Sequence, residues 1–296
     1  MKTNTKTSHL LPQVATTLEM SDEDRIQSLY RPCWVNYPKA AEILDQLEDL
    51  LSHPQTHRPA NLLIIGETNN GKTALALRFL KKHPKSALPT ADACEYPVLK
   101  IDAPPYPEER RLLAAILDAM EAPRRTNERV ENLYVQVNEI LPRARVKMLI
   151  IDEIHNILSG STAKQRTFLN VLKNLSNKLQ IPIVLIGIEI AFNAIQAEPQ
   201  IANRFPPVQL PRWRHGDELM SLLASYERIL PLKKPSNLTD DKLATALLMM
   251  SEGLLGELTQ LLTLAAKTAI LNKDECISLK LLESLKWQAP SMRRPN

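Results

Sequence analysis

The chain has 296 residues, 44% of them apolar and 24% charged, with a formal net charge of +4. This is the composition of a globular protein, and the length exceeds what one hydrophobic core usually fills, so two domains are expected. It excludes collagen-like and intrinsically disordered classes. Runs such as Leu62–Ile65 and Met148–Ile151 are far too short to span a bilayer, which takes roughly 18 apolar residues.

The start, MKTNTKTSHLLPQ, shows no apolar stretch followed by a small-residue cleavage site, so a cytoplasmic protein with no membrane partner is expected. Cys33, Cys94 and Cys276 are isolated and not at metal-ligand spacing, which argues against zinc and disulfide scaffolds. Residues 1–20 are polar and aperiodic and read as a flexible tail. Ser21 followed by three acids opens a short helix, and apolar residues three and four apart over Lys39–Leu51 predict an amphipathic one.

From Asn61 the pattern alternates. Apolar runs at Asn61–Gly66, Pro97–Asp102, Lys147–Asp152 and Pro182–Gly187 predict buried strands, with a short fifth at Val208–Leu210. Between them, helices are predicted over Lys72–Lys82, Pro107–Glu121, Asn127–Leu141 and Lys164–Leu179, then as short pieces to Phe205. Buried strands alternating with helices imply a parallel sheet covered on both faces. Beyond His215 only helices are predicted, over Asp217–Leu230, Asp240–Met250, Gly253–Leu271 and Ser278–Trp287. The expected organisation is therefore an α/β nucleotide-binding domain over 21–214, a helical lid domain over 215–288, and a flexible tail over 289–296.

Gly66-Glu67-Thr68-Asn69-Asn70-Gly71-Lys72-Thr73 matches G-x-x-x-x-G-K-[ST], the phosphate-binding loop. Its glycines let main-chain N–H groups curl around phosphates. Lys72 places an ammonium on the β- and γ-phosphates of ATP, and the Thr73 hydroxyl suits Mg2+. The helix from Lys72 through Ala74 adds its positive N-terminal end. The bland alternative is a glycine-containing strand-to-helix turn. A second piece supports nucleotide: Asp152 and Glu153 end an apolar run, and the carboxyl ends of strands are where open α/β sheets bind ligands. Asp152 would hold Mg2+ and Glu153 would polarise a water. His155 reads as a local structural residue.

The order of strand, P-loop, helix and acidic strand tip, followed by a helical C-terminal part, resembles the AAA+ ATPases. Six segments narrow the resemblance to the TniB/TnsC group, distantly related to MuB: YRPCWVNYPK from Tyr30, RPANLLIIGETNNGKT from Arg58, DAPPYPEE from Asp102, PIVLIG from Pro182, ANRF from Ala202 and EGLLGEL from Glu252. It covers roughly residues 28–275. The resemblance implies an ATPase that binds ATP and Mg2+ and assembles as a ring or helical filament on double-stranded DNA with little sequence preference. It implies a DDE transposase and a TniQ-type adaptor as partners, in a bacterial cytosol or on the nucleoid.

Gly66, Gly71, Lys72, Thr73, Asp152 and Glu153 match the family pattern fully. Arg204 stands where the family has an arginine that reaches a neighbour's γ-phosphate; a surface arginine paired with an acid is the alternative. Two positions depart. Gly187 is followed by Ile188 where the family has a polar residue, leaving Glu189 as the nearest polar side chain, and no Arg stands near Gly253–Gly256. Slow or partner-stimulated hydrolysis to ADP and phosphate is the expectation. The resemblance turns the loops after the second strand toward DNA, which makes Arg110, Arg111, Arg124 and Arg125, with Arg129, the first candidates for phosphate contacts. Arg143, Arg145 and Lys147 form a second cluster, and Arg293 and Arg294 are further candidates. Taken singly, each is also an ordinary solvated charge. A helicase loader shares nearly every motif, whereas a stand-alone P-loop kinase has no need of Arg204.

Overall fold

The computed structural model describes residues 8–87 and 94–293. The parts of the expected tails at 1–7 and 294–296, Arg294 among them, lie outside the described residues. In chain order the helices are α1 (Pro12–Ala15), α2 (Asp22–Ser28), α3 (Pro38–Ser52), α4 (Lys72–Lys82), α5 (Glu109–Ala119), α6 (Val130–Arg143), α7 (Thr162–Leu179), α8 (Glu189–Gln196), α9 (Pro199–Ala202), α10 (Asp217–Ile229), α11 (Asp241–Ser251), α12 (Leu255–Leu271) and α13 (Leu279–Ser284). The strands are β1 (Leu62–Gly66), β2 (Ser86–Ala87), β3 (Cys94–Glu95), β4 (Val98–Asp102), β5 (Met148–Asp152), β6 (Ile183–Gly187) and β7 (Pro207–Leu210). The chain divides into two compact units, one of residues 42–210 and one of residues up to Ala41 together with those from Pro211 onward.

In the first unit five parallel strands run in the order β4-β5-β6-β1-β7. β1, β5 and β6 are buried along their whole length, as the unbroken runs LLIIG, MLIID and IVLIG require. All the strands point the same way, so the turns after β1, β4, β5 and β6 gather at one edge of the sheet. That edge carries the phosphate loop. Gly187, at the tip of β6, has to be glycine for packing: a Cβ there would lie 2.6 Å from Ile154 Cγ2. α7 ends where Gln180 turns left-handed at φ 57°, just before Pro182. The short antiparallel pair β2–β3 adds a feature the sequence pattern does not signal.

The helical unit has its own core, with Leu222, Leu223, Leu247, Leu261 and Leu262 buried in it. Two of its helices, α11 and α13, begin at side-chain caps: Asp240 accepts from the amides of Lys242 and Leu243, and Ser278 from that of Leu281. Residues 21–41, expected with the α/β domain, group with the helical unit, and the division between the units falls at 210/211. The reason is packing. Ile26, Leu29 and Val35 rest against the helical core, and fully buried Arg25 donates to Glu275 Oε2 at 2.5 Å and to Pro231 O at 2.7 Å. Residues 8–20, expected as tail, form helical turns, and Leu10 is buried. At the other end Arg293 pairs with buried Glu257 at 2.8 Å and lies over the Trp287 ring.

The bond from Arg25, with Lys233 beside it, holds the Glu275 carboxyl below its ordinary pKa despite the opposing effect of burial. A lowered carboxyl pKa contributes stability above the unfolded value near 4.3, and that contribution is lost as pH falls through the folded one. Arg25→Met takes the buried partner from Glu275, leaving it Lys233 alone, and is expected to destabilise the helical unit by up to about 3 kcal/mol. Urea denaturation at neutral pH reads this directly, and the difference from wild type should shrink toward pH 3.

Candidate functional site: a phosphate loop facing an acidic strand tip

The loop 67–71 leaves β1 and enters α4. Asn69 and Gly71 have left-handed backbones, at φ 61° and 85°. Asparagine and glycine are the residues that adopt this conformation at least cost, and it curls the chain into an amide-lined hollow. Glu67, Thr68 and Asn69 lie on the outer side, Thr68 and Asn69 exposed, whereas Asn70 is buried and donates to Leu210 O at 2.9 Å, which ties the loop to β7. Gly66 is pressed against β7: a Cβ there would lie 3.1 Å from Leu210 O. Ala74 sits exposed in the first turn of α4.

The buried Lys72 ammonium donates to Gly66 O at 2.9 Å and Glu67 O at 2.7 Å, so it is aimed into the loop. Burial pushes its pKa down, while the charges of Glu153, Asp152 and Glu67 pull it back up. Thr73 Oγ1 donates to Asp152 Oδ2 at 2.9 Å. Asp152 is buried, and its Oδ1 accepts the Glu153 N–H at 2.9 Å. A hydroxyl and a carboxylate at this spacing are hard oxygen donors of the kind Mg2+ takes. Among the described residues no group of three or more His, Cys, Asp or Glu could hold a metal by itself.

Glu153 turns left-handed at φ 56° at the end of β5, a conformation costly for a glutamate. Its carboxylate lies 3.0 Å from His155 Nε2. Nothing in the residue pattern signals that pairing. Lys100 was also missed. It stands inside β4 and places its ammonium 3.4 Å from Asp152 Oδ2. The only hint in the sequence is a lysine within an apolar run. Glu189 is exposed in the first turn of α8.

Arg204 precedes β7, so it lies at the opposite edge of the sheet from the phosphate loop. Four strand residues separate the two edges by about 13 Å. Its Nη1 donates to Asn177 Oδ1 at 2.7 Å. Burial and the nearby Arg58 charge lower its pKa, though a guanidinium stays protonated throughout.

The basic candidates near α5 are Arg110, Arg111, Arg124 and Arg125. Arg110 donates to Thr126 O, which brings the 122–129 connection back to the start of α5. Arg111 pairs with Glu108 at 2.7 Å and Arg124 with Asp118 at 2.7 Å. Arg125 lowers the Glu128 pKa behind an Asn132 hydrogen bond. Exposed pairs of this kind are worth about 0–1 kcal/mol and exchange readily for phosphate. Arg143 is exposed, and Arg145 lies 3.8 Å from Glu95.

A protein-family model described as Bacterial TniB protein matches residues 25–215. The chain belongs to the TniB family. Among solved structures, this TniB-family chain is similar to the ORC2 protein of Aeropyrum pernix in its ADPNP–ADP complexes, with 16% identity and a TM-score of 0.58, over 86% of this chain and 70% of that one. It is similar to Cdc6p of Pyrobaculum aerophilum, with 16% identity and a TM-score of 0.61, over 85% and 68%. It is also similar to the ORC1 protein of Aeropyrum pernix in complex with DNA, with 20% identity and a TM-score of 0.56, over 88% and 68%. These likenesses show the fold, that of an AAA+ P-loop protein with a helical C-terminal part. No curated protein matches the chain. Among the described residues no single helix is long and apolar enough to cross a membrane.

Proposed function

We propose that this TniB-family chain is an ATPase that assembles on duplex DNA with ATP bound and delivers or activates a DDE transposase, a TniQ-type adaptor selecting the site. The observation that carries the nucleotide part is the 2.9 Å bond between Thr73 and Asp152, made across the hollow that Lys72 enters. Loop amides and the Lys72 ammonium take the phosphates, the ammonium exchanging loop carbonyls for phosphate oxygens. Thr73 and Asp152 would hold Mg2+, which supplies positive charge against the phosphate oxygens. Glu153 orients and deprotonates the attacking water once its carboxylate leaves His155.

Arg204 supports a homo-oligomer. A guanidinium at the far edge of the sheet has no path to its own loop, and it suits the γ-phosphate held by a neighbour. The ORC1 neighbour solved with DNA, and the basic surface around Arg110, Arg111, Arg124 and Arg125, support duplex DNA as the partner. Assembly repeats these charges along the duplex, so a modest net charge of +4 suffices.

Electron microscopy with duplex DNA and a non-hydrolysable ATP analogue tests this reading. Rings or filaments are expected, and single unassembled particles would overturn it. Arg204→Ala should keep monomeric nucleotide binding while assembly-dependent turnover falls by about 10³-fold or more, the scale of a trans-acting arginine. Mixing it with Lys72→Ala subunits should restore some turnover, since each supplies what the other lacks. A mixture no more active than its parts removes the trans role. Co-purification with a DDE transposase separates this function from that of a helicase loader.

A further inference from the structure

Lys100 stands between apolar residues inside β4, two residues before Asp102. Leu99 and Ile101 on either side are buried, and its own side chain is only 13% exposed. A lysine so far withdrawn from water requires compensating charge. It finds two carboxylates, with its Nζ 2.6 Å from Asp102 Oδ1 and 3.4 Å from Asp152 Oδ2. The register explains the meeting: Asp102 pairs with Asp152 across adjacent parallel strands, so both side chains leave the sheet on the same face. Like charges that close disfavour each other, and the ammonium between them offsets the repulsion.

The two carboxylates differ in exposure. The Asp102 side chain is 68% exposed, whereas that of Asp152 is 2% exposed. Asp152 Oδ2 therefore has two partners, the Thr73 hydroxyl and the Lys100 ammonium. The cation sits at the same oxygen whose chemistry suits Mg2+. A flexible four-carbon stem lets the ammonium shift from one carboxylate to the other.

We propose that Lys100 is the resident counter-cation of the Mg2+ site. Its ammonium balances Asp152 until a divalent ion arrives, then passes wholly to Asp102, and in this way it sets the Mg2+ concentration at which nucleotide binds. This rests on the phosphate-loop reading above. Lys100 is a positioning residue, acting through Asp152.

The test titrates Mg2+ into the full-length protein with a fluorescent ATP analogue, and separately follows the melting temperature with Mg2+ alone. In Lys100→Met the Mg2+ concentration for half-maximal nucleotide binding should fall by about tenfold, the scale of one nearby charge. The variant should melt lower than wild type without Mg2+ and recover on adding Mg2+ alone, and Lys100→Arg should restore wild-type behaviour in both assays. A second variant shifts the balance the other way. Asp102→Asn removes the alternative carboxylate, commits the ammonium to Asp152 and should raise the Mg2+ requirement. An unchanged or raised midpoint in Lys100→Met overturns the proposal. Should Lys100→Met fail to fold, an unchanged or lowered midpoint in Asp102→Asn does the same. If wild type bound no nucleotide at any Mg2+ concentration, the phosphate-loop reading would fall. The melting response of Lys100→Met to Mg2+ alone would still decide the role of Lys100.

Discussion

Lys72→Ala is expected to weaken ATP binding by about two to three orders of magnitude and to abolish ATP-dependent assembly on DNA. The ammonium is buried and already donates to two loop carbonyls, so it is desolvated and aimed before any phosphate arrives. Burial alone would favour its neutral form, and the carboxylates of Glu153, Asp152 and Glu67 act against that. Charge-assisted hydrogen bonds are worth about 1.5–3 kcal/mol each, and every 1.4 kcal/mol is tenfold in affinity. Truncation to alanine also leaves the loop carbonyls of Gly66 and Glu67 without their donor, so the hollow itself loosens. Isothermal calorimetry with Mg-ATP gives the affinity, and filter binding to labelled duplex gives the assembly. Undiminished binding in both assays would remove the phosphate-loop assignment. Urea denaturation of the variant checks that the fold survives.

The sheet was legible because β1, β5 and β6 are almost unbroken apolar runs and the flanking helices repeat at 3.6 residues. β1, β5 and β6 start or end within a residue of their expected limits. The turn between β1 and α4 was legible because Gly66, Gly71, Lys72 and Thr73 stand at the set spacing of a phosphate-loop motif. What escaped depends on pairings distant in sequence. Arg25 looks like any surface arginine in a helix of acids, yet Glu275, 250 residues away, draws it into the core. The 21–41 segment follows it into the helical unit. The left-handed bend at Glu153 leaves no composition signal, and neither does the His155 contact that follows from it. Lys100 could be seen as an oddity in β4, but its meaning required the register that sets Asp102 beside Asp152. Among the basic candidates the local acids Glu108 and Asp118 were visible three and six residues from their arginines, although only the fold shows them paired.

Glu153→Gln is expected to trap ATP-loaded assemblies on DNA. The substitution keeps the shape of the side chain and removes its ability to accept a proton, so nucleotide binding through Lys72, Thr73 and Asp152 is untouched. General-base contributions run to about 10²–10⁴ in rate, and the lifetime of the assembly should lengthen by the same factor where hydrolysis limits its disassembly. The His155 contact sharpens the expectation. In wild type the Glu153 carboxylate has to leave His155 Nε2, 3.0 Å away, before it can reach a water. A glutamine amide pairs with imidazole less strongly than a carboxylate does, so the variant isolates the loss of the base from any loss of position. His155→Ala completes the comparison: it frees the carboxylate and should speed basal turnover, where Glu153→Gln stops it. A phosphate-release assay reads both variants, and time-resolved fluorescence of labelled duplex reads disassembly. Normal disassembly in Glu153→Gln, with ATP turned over at the wild-type rate, takes the water-activating role away from Glu153 and moves the search to Glu189 in the first turn of α8.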